Sequence, residues 1–111
     1  MTTEFTTDGV DVSGTTLQGF ITCSYDTLCQ VFGEPVSGDG YKTRAEWNGK
    51  TPDDVVFTIY DWRERKGIGD VTDWHIGGND LSAVEAVQNI VKNNLGDLYP
   101  HAVRFDLIRW F

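Results

Sequence analysis

The segment Val55 to Trp62 constrains this chain most. It reads Val-Val-Phe-Thr-Ile-Tyr-Asp-Trp, so β-branched and aromatic residues fall on both alternating sets. Such a segment favours extended backbone. A strand apolar on both faces belongs at the centre of a sheet, with neighbours at both edges. The fold must therefore supply a multi-stranded sheet around it.

Other strands follow from the same logic. Tyr41 to Trp47 alternates, with Tyr41, Thr43, Ala45 and Trp47 facing one way and Lys42, Arg44 and Glu46 the other. This is the period of a half-exposed strand. Asn48-Gly49 is expected to open a turn that Pro52-Asp53-Asp54 lengthens. Leu17 to Cys23 reads as a first strand, Val71 to Ile76 as a fourth and Ala102 to Phe111 as a fifth, although a helix after Pro100 fits the last segment nearly as well.

Two helices complete the pattern. Ser24 can cap a helix over Tyr25 to Phe32, with Leu28, Val31 and Phe32 on one face; Gly33 and Pro35 stop it. Asn79, Asp80 or Ser82 can cap a second, in which Val84, Val87, Val91 and Leu95, with Ala83 and Ile90, form the buried stripe up to Gly96. The expected class is α+β. The order is β-α-β-β-β-α-β, an antiparallel sheet of four to five strands with two helices on one face. Residues 1–14 are rich in Thr, Asp, Gly and Ser and read as a flexible arm. Residues 15–111 read as a single domain.

Charge narrows the partners. Lys and Arg number 9 against 17 Asp and Glu, a net charge of -8. Such a surface repels phosphate backbones and anionic bilayers, so no direct nucleic-acid binding and no membrane association are expected. Acidity also admits mimicry of DNA, with Asp53 and Asp54 as the densest acidic point. No apolar run is long enough to span a bilayer, and the stretch after Met1 lacks the basic and apolar regions of a secretory leader. Cys23 and Cys29 do not form a metal-binding pair by spacing and are expected as reduced thiols lining the core.

Chemistry has few footholds. Asp73 and His75 share one face of a strand, where a carboxylate beside an imidazole could orient a general base. With Asp61 and Asp80 they make the only metal set the sequence offers, one suited to Mg²⁺ or Mn²⁺. Gly77-Gly78, between strand and helix, could present amides to an anion, but it is neither a dinucleotide fingerprint nor a Walker loop. No cofactor motif and no hydrolase elbow is present. A small enzyme or metal-dependent ligand binder centred on Asp73 and His75 is thus the alternative to a binding protein. The aromatics speak for binding: Tyr60, Trp62 and Trp74, beside Arg63 and Arg65, are of the residue types enriched at interface hot spots.

The words Leu17-Gln18-Gly19-Phe20-Ile21-Thr22, Tyr25-Asp26 and Phe32-Gly33-Glu34-Pro35 resemble a set of small proteins of tailed bacteriophages for which no activity is assigned. Lys42-Thr43, Glu46-Trp47, Thr58-Ile59-Tyr60-Asp61-Trp62 and Asp73-Trp74-His75-Ile76-Gly77-Gly78 continue the pattern, which covers residues 17 to about 91. The resemblance implies a phage accessory protein acting in the cytoplasm of the bacterial host. It carries over no functional residues. The expectation is a non-enzymatic protein that binds, and blocks, a host protein such as a defence factor. A minor virion component is a further alternative. The apolar C-terminal strand offers an edge for a homodimer.

Overall fold

The structure is a computed structural model that describes residues 4–37, 45–62, 67–99 and 103–107. Six strands form one sheet: β1 (Thr16–Thr22), β2 (Val36–Ser37), β3 (Ala45–Lys50), β4 (Val56–Tyr60), β5 (Asp73–Gly78) and β6 (Arg104–Leu107). Their order across the sheet is β2-β3-β4-β5-β1-β6, and every neighbouring pair is antiparallel. The α+β class and the helix-strand order are those expected. The two-residue β2 is the addition.

Topology explains the two helices. Strands β2 to β5 form a meander, which tight connections can make. The alternation of directions makes β1 parallel to β2, and β5 parallel to β6. Parallel strands need a crossover. Helix α1 (Tyr25–Phe32) supplies the first, and helix α2 (Ser82–Leu95) the second, passing over β1.

Both helices pack on the same face. That face carries Ala45 and Trp47 of β3, Phe57 and Ile59 of β4, Trp74 and Ile76 of β5, and Ile21 of β1. All are buried with Leu28, Val31 and Phe32 of α1 and with the expected stripe of α2. Each large apolar side chain contributes about 1.5–3 kcal/mol on burial.

Short α1 needs tertiary help, since isolated helices of this length are marginal. Ser24 Oγ accepts from the Thr27 amide at 3.1 Å, as the cap requires. Two tryptophans fasten the ends. Trp74 Nε1 donates to the Cys23 carbonyl at 3.0 Å, just before the helix, and Trp47 Nε1 donates to the Gly33 carbonyl at 2.8 Å, just after it. Tyr25 of α1 lies against both rings, at 5.8 Å from Trp47 and 6.2 Å from Trp74.

Three expectations change. Asn48-Gly49 lies inside β3 rather than in a turn. A Cβ at Gly49 would run into the Phe57 ring of the paired strand, so the glycine makes room for that ring. The turn falls at Thr51 to Asp54, where Asp54 takes φ 65°. Gly77 and Gly78 extend β5 rather than break it, paired with both β4 and β1. The arm is anchored: Phe5 packs 5.4 Å from Phe32 and 6.2 Å from Phe57, and Thr6 exchanges two backbone hydrogen bonds with Lys50. Of the C-terminal segment, Arg104–Leu107 is a strand at the sheet edge; residues 100–102 and 108–111 lie outside the described residues.

Candidate functional site

Among the described residues the second face of the sheet carries no helix, and the alternation of each strand decides what stands on it. Register aligns one row across five strands: Asp106 of β6, Phe20 of β1, His75 of β5, Tyr60 of β4 and Glu46 of β3. Three rings stand side by side with a carboxylate at each end. Cross-strand neighbours of this kind are within contact distance. The Phe20 and His75 rings meet edge to face at 5.2 Å, and Tyr60 lies 5.4 Å from His75.

Trp62, just past β4, returns to the same face. Its indole stacks on His75 at 6.2 Å and 22°, and meets Tyr60 at 6.3 Å. It is 41% exposed. His75 is therefore the centre of a four-ring cluster, half-buried by its neighbours. Tyr60 is held protonated well above neutrality: burial raises its pKa first, and the charge of Glu46 adds to the effect.

Beside the row lies a shallow depression of about 310 Å³, lined by Thr15, Thr16, Glu46, Thr58, Tyr60, Trp62 and Gly77. Gly77 forms part of it because the position admits no side chain. A Cβ there would stand 2.5 Å from Thr58 Oγ1 and 3.5 Å from the Thr16 carbonyl oxygen. Asn48 is paired with Thr58 in register and shares the face with Glu46. Its Oδ1 is buried with no hydrogen-bond partner among the described residues.

The expected site residues divide. Tyr60 and Trp62 lie together on the open face, and His75, the candidate general base, is the ring that contacts both. Trp74 does not belong there. It is 0% exposed, because strand alternation turns it to the core against Trp47, 5.4 Å away. Arg63 and Arg65 lie outside the described residues. The metal set does not converge. Asp61 is fully buried, next to Tyr60 in sequence and so turned to the opposite face, where it accepts from the Ala45 amide at 3.0 Å. Asp80 accepts from the Ser82 hydroxyl and, at 2.9 Å, from the Ser82 amide at the start of α2; the hydroxyl bond first and the amide bond second lower its pKa. Asp73 and His75 remain on one face, and among the described residues no three His, Cys, Asp or Glu side chains could hold a metal ion. The paired glycines are committed to the β5 ladder, which removes the expected anion loop.

Phe20, Glu46 and Asp106 were not foreseen as site residues. Their alternation within β1, β3 and β6 was the available signal, but alternation cannot show which residues stand opposite one another. Comparison of the chain with protein-family models, with curated proteins and with solved structures finds no match. Site geometry is thus the ground for function. Among the described residues no helix is long and apolar enough to cross a membrane.

Proposed function

We propose that this chain is a non-enzymatic binding protein that docks a partner protein on the open face of its sheet. The observation that carries the reading is the ring cluster Phe20, His75, Tyr60 and Trp62, placed on a face that neither helix covers. Folding gains little from aromatic area left half-exposed. Binding gains from it, since rigid aromatic side chains dominate interface hot spots. The flanking carboxylates and the net charge of -8 favour a basic partner surface.

The phage-like sequence words supply the setting in this proposal. The chain is a phage accessory protein, the partner is a protein of the host cytoplasm, and docking blocks that partner's own contacts. Catalysis by Asp73 and His75 is the weaker reading. It assigns no role to the rings around His75 and no nucleophile or metal to the reaction.

The test is quantitative capture of host proteins on immobilised wild-type chain and on the Tyr60→Ala/Trp62→Ala double variant. The expected result is a partner whose binding weakens at least about tenfold in the variant, a loss of about 1.4 kcal/mol or more. Near-ultraviolet circular dichroism checks that the buried Trp47–Trp74 pair keeps its signal. Unchanged capture by a folded double variant contradicts the proposal.

A further inference from the structure

We infer that the depression between Glu46, Tyr60 and Trp62 is a receptor for an arginine side chain presented by the partner protein. This rests on the docking reading above and names the chemistry of its occupant. The depression brings together a carboxylate, two aromatic walls and three threonines, and no Lys or Arg is among its described lining residues. An aromatic face attracts a cation through its quadrupole, and a carboxylate attracts it by charge. An anion would meet Glu46 and the overall negative charge. A neutral apolar group would strand the threonine hydroxyls.

Arginine fits better than lysine on shape and on hydrogen-bond count. Guanidinium is planar, so it can lie flat against an indole or phenol ring while its edge donates to a carboxylate. Its five N–H groups need several acceptors. The site offers them in Glu46, in the Thr58 hydroxyl and in the Thr16 carbonyl, which a side chain at position 77 would crowd. Lysine would bring three donors on a tetrahedral head that cannot stack.

The probe is N-acetyl-L-argininamide, with its neutral isostere N-acetyl-L-citrullinamide as control. Each is titrated into the full chain and followed by ¹H–¹⁵N spectra. The expected result is saturable shifts at Thr58, Tyr60, Gly77 and the Trp62 indole with the arginine compound, at least about threefold weaker with the citrulline one. Glu46→Gln, a half-buried position on the open face, should keep the dispersed spectrum and weaken the arginine titration by a similar factor. Equal binding of the two compounds, absence of shifts, or a Glu46→Gln variant that titrates like wild type overturns the assignment. The two readings fail separately. If capture of a partner depends on Tyr60 and Trp62 while the arginine compound gives no shifts, the docking face stands and the arginine receptor falls. If the compound binds as expected while capture ignores Tyr60 and Trp62, the receptor stands and the docking face falls.

Discussion

Single residues on this sheet are sorted by the side to which they point. Tyr60 and Trp62 face out, while Asp61 between them is buried and bonded to the Ala45 amide. Trp74 and His75 are neighbours in sequence, yet one is core and the other is the hub of the surface cluster. The same sorting governs Cys23. It is buried beside α1, and burial pushes its thiol up to about 12 from an ordinary 9.0. The unfolded chain therefore releases this proton first as pH rises. The stability it contributes is fully present below pH 9.0 and is lost as pH rises toward 12. Tyr60, raised by burial and then by Glu46, acts in the same direction above its ordinary value of 10.0. Urea unfolding followed from about pH 8 to about pH 11 should hold steady at first and then fall, by up to about 1.4 kcal/mol per pH unit from Cys23, with a smaller contribution from the partly solvent-screened Tyr60. Cys23→Ala should make the fall shallower. A wild-type midpoint unmoved to the upper end would mean that Cys23 is not held in the core.

At the scale of elements, the two helices owe their places to different causes. Helix α2 has a continuous buried stripe and binds the sheet by area. Helix α1 has only three buried side chains, and tryptophans of β3 and β5 fix its two ends. Trp47→Phe and Trp74→Phe keep an aromatic ring but shorten it and leave a carbonyl without its indole donor. Each should cost about 1–3 kcal/mol, read as a lower urea midpoint with an unchanged slope. An unaffected midpoint would show that the two bonds do not fasten the helix. Gly49→Ala should cost about 1–3 kcal/mol by overpacking against Phe57, read as a lower urea midpoint.

These cases also show what the sequence could and could not reveal. The helix over Tyr25 to Phe32, its Ser24 cap, the α2 stripe and the central place of Val56–Tyr60 were legible, because periodicity and capping are local. The Asn48-Gly49 and Gly77-Gly78 words were misleading, since a glycine required by a ring or hydroxyl on the next strand looks the same as a glycine required by a turn. The site was half legible. Tyr60 and Trp62 declared themselves by type, but the row from Glu46 to Asp106 exists only through strand register, which pairs residues as far apart in the chain as Phe20 and Asp106. Trp74 was misassigned because facing depends on where a strand begins, and β5 begins at Asp73.

Over the described residues, both helices pack on one face of the sheet, and the proposal gives the other face to a partner. Carboxylates at positions 46, 73 and 106 stand on that second face with the rings, and Arg104, paired with Asp106 at 3.3 Å, is mostly exposed beside them. Association with a basic partner should therefore be steered by charge. Raising ionic strength from about 0.05 M to about 0.5 M should slow association more than it speeds dissociation, because the rim charges act at long range and the rings at contact. Surface plasmon resonance with the captured partner checks this. A salt-insensitive association rate would remove charge from the account.

The most direct test of the docking face is site-specific photo-crosslinking in bacterial cells, the setting the proposal assigns, with benzoylphenylalanine placed at position 62 and, as a control, at Leu98, an exposed residue outside the cluster. The account predicts a discrete protein adduct from position 62, absent at Leu98 and lost when Tyr60 is also changed to Ala. Adducts of equal yield and identity from both positions, or none from position 62, would contradict it.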